Sequence, residues 1–168
     1  HAGAGTLIKQ WEPARWAVVA DRLAAQASAR IVLTGGEAEI PLARAIESHM
    51  QARPVVMAGE TRVGTLAALL ERAALALGPD SGPLHLAAAV GTPTVALFGP
   101  ADPDEFRPWG STGRHLVLTS DIGCRPCRIL DWPGDSVENH PCVREISAER
   151  VVEAAHRALQ AATSEAPY

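Results

Sequence analysis

The sequence predicts an α/β fold built around a doubly wound parallel sheet, and three observations lead to this prediction. First, an apolar run at residues 73–77 has the form of a buried strand, and a small polar turn follows it. Second, an Ala- and Leu-rich helix then begins with Pro83 in its first turn, and another apolar run follows at residues 94–98. Third, short apolar runs alternate with helical patterns along the rest of the chain, which is typical of a parallel sheet covered by helices.

Each remaining element has a local signal. The predicted strands are short apolar runs bounded by polar, glycine or proline residues, and besides the two above they span residues 31–34, 54–57 and 116–118. The predicted helices carry apolar residues at helical spacing or begin at a capping residue, and they span residues 14–29, 37–50, 63–72, 104–107 and 148–162. Ser147 caps the last of these helices. Residues 123–142 are predicted to be irregular.

The turn Gly3-Ala4-Gly5 comes before any predicted strand. In a parallel α/β sheet such a glycine-rich turn normally follows a strand, where the chain leaves the sheet for a helix. We therefore expect residues 1–168 to form a single domain of a longer protein, whose first strand and any earlier domain lie upstream.

Composition excludes several classes of protein. The chain has 168 residues, 47% of them hydrophobic, and a formal net charge of −4, without the basic stripe that a nucleic-acid-binding protein carries. No apolar run reaches the length of a membrane-spanning helix, and we expect no signal peptide. The odd number of cysteines, three, does not suggest a disulfide framework. Fourteen of the fifteen basic residues are arginine, so Lys9 stands out as the only lysine.

Two segments near the start of the chain are candidates for binding a nucleotide. In Gly3-Ala4-Gly5-Thr6 the glycines would let the backbone approach a diphosphate, Thr6 would donate its hydroxyl and Lys9 would neutralise charge; the alternative is a plain turn. Gly35-Gly36 is followed by Glu37 and Glu39 at a strand-to-helix crossing, where a carboxylate can accept two ribose hydroxyls. The alternative there is that both acids only complement the helix dipole.

Asp80-Ser81-Gly82 is the stronger signal, because it lies between a predicted strand and a predicted helix. Gly82 permits close backbone approach, Ser81 supplies a hydroxyl, and the start of the helix offers N–H groups that suit a phosphate. Asp80 would accept ligand hydroxyls or turn N–H groups, and His85 lies one helical turn further on. The alternative is a capped turn with His85 on the surface.

The cysteines suggest a further possibility. Cys124-x-x-Cys127 is followed by His140-x-Cys142, and both residue types are natural zinc ligands. The second half lacks the close pair typical of zinc sites, so reduced cysteines in a loop are the alternative reading.

The order of these motifs resembles a known family. The matching segments are Lys9-Gln10-Trp11 after the glycine-rich turn, Gly35-Gly36-Glu37-Ala38-Glu39, the Gly59 loop, Asp80-Ser81-Gly82-Pro83-Leu84-His85, Leu97-Phe98-Gly99-Pro100, and Cys124-x-x-Cys127 with Cys142. This series is similar to the carboxyl-terminal half of glycosyltransferase family 9, the ADP-heptose:lipopolysaccharide heptosyltransferases. The resemblance implies the Rossmann-like, donor-binding half of a GT-B fold.

The resemblance also implies roles for individual residues. Thr6 and Lys9 would contact the donor phosphates, and Glu39 would bind the ribose in preference to Glu37. The residues at the start of the helix would hold the diphosphate and sugar; they are Asp80, Ser81, Gly82 and His85. The loop Gly59-Glu60-Thr61 would lie near the base. The chain departs from the family where Ser81 replaces the usual threonine and where a fourth cysteine is missing.

On this basis we expect the donor-binding domain of an inverting glycosyltransferase that transfers heptose from ADP-heptose to lipopolysaccharide core. The general base would belong to the amino-terminal domain. The donor is a substrate rather than a cofactor, and the need for a divalent cation stays open. The expected location is cytoplasmic, with peripheral membrane association of the full enzyme and a lipid-linked saccharide acceptor. The alternatives are another GT-B enzyme (a different donor, or an epimerase), a non-catalytic nucleotide-sugar- or partner-binding module, and a small metal-binding domain.

Overall fold

Five parallel strands and six α-helices alternate along the chain in a computed structural model that describes residues 1–131 and 139–164. The strands are β1 (Val32–Leu33), β2 (Val55–Val56), β3 (Ala76–Pro79), β4 (Thr94–Phe98) and β5 (His115–Thr119). The helices are α1 (Pro13–Gln26), α2 (Ile40–His49), α3 (Val63–Glu71), α4 (Gly82–Ala89), α5 (Pro103–Phe106) and α6 (Ala148–Ser164). Residues 132–138, part of the segment predicted to be irregular, lie outside the described residues.

The strands form two parallel groups. β1 pairs with β2, and β4 lies between β3 and β5, with Ala76 opposite Thr94 and Thr94 opposite His115. Every pairing is parallel, which confirms the predicted parallel sheet.

β4 shows why the fold is doubly wound. All five of its residues are buried, and alternate side chains face opposite sides of the sheet. Val95 and Leu97 belong to a core cluster with α1 and α6, whereas Ala96 and Phe98 belong to a second cluster with α3 and α4. Helices therefore cover both faces, as the sequence predicts.

The first residues of the chain lie between the two groups of strands. The amino group of His1 donates to the Leu77 carbonyl at 2.8 Å, and its ring Nδ1 lies 3.3 Å from the Thr34 hydroxyl. A Cβ on Gly78 would overlap the His1 carbonyl, so this approach requires glycine in β3. An apolar groove of about 430 Å³ separates β1 from β3 and ends at His1. The glycine-rich turn that follows is thereby placed at the carboxyl ends of both strands.

Two predicted boundaries differ from the structure for identifiable reasons. β3 covers Ala76–Pro79 rather than 73–77, because Ala73 still donates to the Leu70 carbonyl at the end of α3. Pro79 is tolerated there because the neighbouring Asp80 N–H, not that of residue 79, pairs with β4. The predicted helix 37–50 divides into a 3-10 helix, Glu37–Glu39, and α2, which holds Pro41 in its first turn where no N–H is needed.

Buried His115 makes the stability of the fold depend on pH. Its ring Nδ1 lies 3.1 Å from the buried Thr94 hydroxyl, and burial, helped by Arg114 and Arg107, lowers the pKa of His115. Below its ordinary pKa near 6.5 the unfolded chain binds a proton that the folded chain does not. We expect the free energy of unfolding to fall as the pH drops below about 6.5, by at most about 1.4 kcal/mol per pH unit.

Urea unfolding at several pH values measures this dependence. His115→Asn, which keeps a hydrogen-bonding group for Thr94, is expected to flatten it, and the same change at exposed His49 is the control. An unchanged acid slope in His115→Asn would contradict the assignment.

Candidate functional site

A cleft of about 570 Å³ opens at the carboxyl ends of the parallel strands. Loops that follow β1, β2 and β3 form its walls together with the turn Gly3-Ala4-Gly5. This is the edge at which open parallel sheets bind their ligands. Of the residues predicted for the site, those that line the cleft are Lys9, Glu39, Thr61, Asp80, Ser81, Gly82 and His85.

An ion pair joins two of these walls. The Lys9 ammonium lies 2.6 Å from Asp80 Oδ2, and the two side chains are only 16% and 7% exposed. Lys9 ends the 3-10 helix Leu7–Lys9, and the Asp80 N–H donates to the Leu97 carbonyl of β4. Because the pair is largely buried, each charge depends on the other for compensation. Sequence reasoning placed both residues near a ligand but did not predict that they pair.

The start of α4 carries polar groups that the protein leaves unused. Ser81 occupies the N-cap position, yet its side chain makes no capping hydrogen bond. Its hydroxyl oxygen is buried and has no hydrogen-bond partner within the described residues. Gly82 is the first residue of α4, so its N–H has no partner in the helix, and Pro83 has no N–H. Ser81 and Gly82 both line the cleft at the positive end of a helix, which suits an anion.

Two glycines of the cleft are not required by the fold itself. A Cβ on Gly5 or on Gly82 would meet no atom within 4 Å, and neither residue has a positive φ. Glycine at such a position leaves room for another group to approach the backbone closely. Both residues line the cleft.

Glu39 lies against the glycine-rich turns. Its Oε2 accepts a hydrogen bond from the Gly36 N–H at 2.6 Å and lies 3.7 Å from His1 Nε2. A Cβ on Gly3 would overlap the same carboxylate, so the two loops fit together only with glycine at that position. Glu39 therefore has a structural contact and also lines the cleft, while Glu37 is exposed and is not part of the lining.

Only one of the three residues predicted for the loop after β2 lines the cleft. Thr61 lines the cleft, but Gly59 and Glu60 do not; Gly59 has φ +79° and packs against Ile40. The next residue, Arg62, also lines the cleft and was missed, because an arginine at a helix start belongs to no motif. The only signal for Arg62 in the sequence is that the first turn of α3 contains no acidic side chain.

Thr6 lies beside the cleft without lining it. Its hydroxyl oxygen is buried and, like that of Ser81, has no hydrogen-bond partner in residues 1–131 or 139–164. Both residues predicted to offer a hydroxyl to a phosphate thus have one that the protein does not use.

The cysteine segment contains three free thiols. Cys124, Cys127 and Cys142 are free cysteines, and burial raises the pKa of the Cys142 thiol. Within the described residues, which include His140, no group of three or more His, Cys, Asp or Glu side chains is arranged to hold a metal ion. Arg125 instead organises the segment by donating to the carbonyls of Gly99 and Ser120.

Comparison with known proteins decides the family. A sequence profile of glycosyltransferase family 9 (heptosyltransferase) matches residues 2–131. The chain belongs to glycosyltransferase family 9. The match includes all the cleft-lining residues that were predicted, and it confirms the resemblance inferred from the motifs.

Individual members of glycosyltransferase family 9 are similar over much of this chain. Lipopolysaccharide heptosyltransferase 3 of Escherichia coli is 37% identical over 125 residues, 66% of this chain and 36% of its own length. Lipopolysaccharide heptosyltransferase 2 of Salmonella typhimurium is 31% identical over 156 residues, 90% of this chain and 43% of its own length. The solved structure of E. coli ADP-heptose lps heptosyltransferase II superposes with a TM-score of 0.80 at 26% identity, covering 98% of this chain and 46% of that one. The chain thus spans less than half the length of these relatives.

Among the described residues, no helix is both long enough and apolar enough to cross a membrane.

The Lys9–Asp80 pair leads to a stability prediction. Lys9→Met is expected to lower the free energy of unfolding by about 2 kcal/mol, because it leaves the buried Asp80 carboxylate uncompensated. The double variant Lys9→Met/Asp80→Asn removes both charges and should lose less than the sum of the two single variants, with a coupling of about 1 kcal/mol or more. Urea unfolding measures all four proteins. Additivity within about 0.3 kcal/mol would show that the two side chains do not stabilise each other.

Proposed function

We propose that this chain is the donor-binding part of an inverting heptosyltransferase, and that the cleft binds the nucleoside diphosphate of ADP-heptose. The transferase would pass the heptose to the core of lipopolysaccharide. Membership of glycosyltransferase family 9 and relatives named as heptosyltransferases support the activity. The residues that bind the acceptor, and the general base, would lie outside residues 1–168.

One observation supports the binding site most directly: the unpartnered Ser81 hydroxyl beside the open space at Gly82. A buried hydroxyl without a hydrogen bond costs about 1–3 kcal/mol, and a ligand oxygen bound at Ser81 would remove that cost. Gly82, the first residue of α4, has an N–H without a partner in the helix, and a Cβ there would meet no protein atom within 4 Å. A phosphate oxygen would satisfy both donors at once.

The same donors would assist the reaction. As the acceptor hydroxyl attacks the anomeric carbon, negative charge builds on the leaving diphosphate, and donors already aimed at that position stabilise the transition state. In our proposal Lys9, Thr6 and the start of α4 surround the phosphates, and His85 lies beside them in the first turn of α4. Glu39 accepts the ribose hydroxyls, and the loop of Gly59, Glu60 and Thr61 lies near the base.

The finer assignments belong to this proposal as well. Donor specificity for ADP is one of them, and a GT-B enzyme with a UDP or GDP donor is the alternative. A non-catalytic nucleotide-sugar-binding module would use the same cleft without transfer. We place the enzyme in the cytoplasm, peripheral to the membrane that carries its lipid-linked acceptor. We expect residues 1–168 alone to bind nucleotide and to show no transferase activity.

A thermal-shift series with ADP, UDP, GDP and CMP tests the proposal. At about one hundred times its dissociation constant, a nucleotide stabilises the folded state by about 2.7 kcal/mol. We expect the largest shift with ADP. A larger shift with UDP or GDP would change the donor, and the absence of any shift with a folded sample would contradict nucleotide binding by this chain.

Substitutions at the start of α4 should weaken binding without weakening the fold. Ser81→Ala removes a hydroxyl that has no partner, and Gly82→Ala adds a methyl group into free space, so neither should lower the stability of the ligand-free protein. Both should lower ADP affinity, by about tenfold for Ser81→Ala.

Ser120→Ala is the matched control for this pair. The buried Ser120 hydroxyl donates to the Cys142 carbonyl at 2.6 Å, away from the cleft. Its loss should lower the free energy of unfolding by about 1 kcal/mol and leave ADP affinity unchanged. If Ser81→Ala instead behaved like Ser120→Ala, the Ser81 hydroxyl would have a structural role only.

A further inference from the structure

The charges that line the cleft do not by themselves favour a diphosphate. Lys9 and Asp80 form an ion pair with each other, and Glu39 adds a negative charge. With histidine side chains counted as neutral, these groups leave the cleft with one negative charge. A nucleoside diphosphate, itself an anion, therefore needs a further cation.

Arg62 is that cation. Arg62 lines the cleft and is exposed to solvent. None of the ion pairs among the described residues includes it. Its backbone is held in place, because the Arg62 carbonyl accepts the Leu66 N–H at 2.9 Å at the start of α3. The Arg62 side chain is therefore attached to a fixed backbone position in the wall of the cleft.

The position of Arg62 is unfavourable in the ligand-free protein. It is the N-cap residue of α3, whose first turn has no acidic side chain, and a cation is repelled by the positive end of the helix. An arginine that served only the stability of α3 would be expected at the other end of the helix. An anion between Arg62 and the start of α3 would reverse the sign of this interaction, and the unpartnered Ser81 hydroxyl in the same cleft also calls for an anion.

We infer that Arg62 is a specificity-determining residue that binds the diphosphate of the donor from the α3 side of the cleft. This inference rests on the proposed function and adds to it. Lys9 is held by Asp80, so Arg62 supplies the positive charge that offsets Glu39 and makes the cleft neutral, and its planar guanidinium can donate two hydrogen bonds to phosphate oxygens. The cleft would thereby select a nucleoside diphosphate over a nucleoside monophosphate or a nucleoside.

Calorimetric titration of residues 1–168 with ADP, AMP and adenosine tests the inference. Arg62→Gln should weaken ADP binding by about tenfold and adenosine binding by less than about twofold. Added salt should weaken ADP binding less in Arg62→Gln than in the unchanged protein. Arg62→Lys keeps the charge but loses the paired hydrogen bonds. Its ADP affinity should lie between that of Arg62→Gln and that of the unchanged protein.

The control is Arg53→Gln, another exposed arginine, which lies outside the lining of the cleft. It should bind ADP as the unchanged protein does. The thermal midpoint of ligand-free Arg62→Gln should be equal to or above that of the unchanged protein, since the substitution removes a cation from a helix start.

The outcomes separate this inference from the function on which it rests. If the unchanged protein binds ADP and Arg62→Gln binds it equally well, the role of Arg62 is wrong and the proposed function stands. If adenosine binding falls as much as ADP binding, Arg62 contacts the nucleoside and the inference is also wrong. If the unchanged protein binds none of ADP, UDP and GDP, the proposed function itself fails, and the inference fails with it.

Discussion

The ion pair between Lys9 and Asp80 is the contact on which the geometry of the cleft depends. Lys9 follows the glycine-rich turn, Asp80 follows β3, and their side chains meet at 2.6 Å in a largely buried position. Asp80 is anchored in turn by its N–H bond to Leu97 of the central strand β4. The pair therefore joins the first loop of the chain to the sheet beside the start of α4.

The polar groups of the cleft fall into two kinds. Some are already satisfied by the protein, as Lys9 is by Asp80 and as Glu39 is by the Gly36 N–H, and these hold the walls in place. Others have no partner in the described chain: the Ser81 hydroxyl, the Arg62 guanidinium and, beside the cleft, the Thr6 hydroxyl. Unpartnered polar groups lower the stability of the ligand-free protein. They are expected where a protein binds a ligand, because the ligand supplies the missing partners. Under the function proposed above, these groups would bind the diphosphate of the donor.

The sequence predicted the fold well where local signals were sharp. β4 was predicted at its observed bounds, because its apolar run lies between Pro93 and Gly99. The start of β3 was not, since the Ala- and Leu-rich end of α3 continues into it. Ser81 and Gly82, which line the cleft, were predicted as candidate site residues because they follow a strand and begin a helix. The contact between Gly3 and Glu39 joins distant loops and has no local signal, and the only signal at Arg62 is a helix start without acidic residues.

A crystal structure of the chain with ADP would test the central claim, that the start of α4 binds a diphosphate, most directly. Our account predicts phosphate oxygens within about 3 Å of the Ser81 hydroxyl and the Gly82 nitrogen. It also predicts that Lys9 stays paired with Asp80. A diphosphate bound elsewhere, for example in the apolar groove between β1 and β3, would contradict the account, as would a Ser81 hydroxyl that bonds to the protein while ADP is bound.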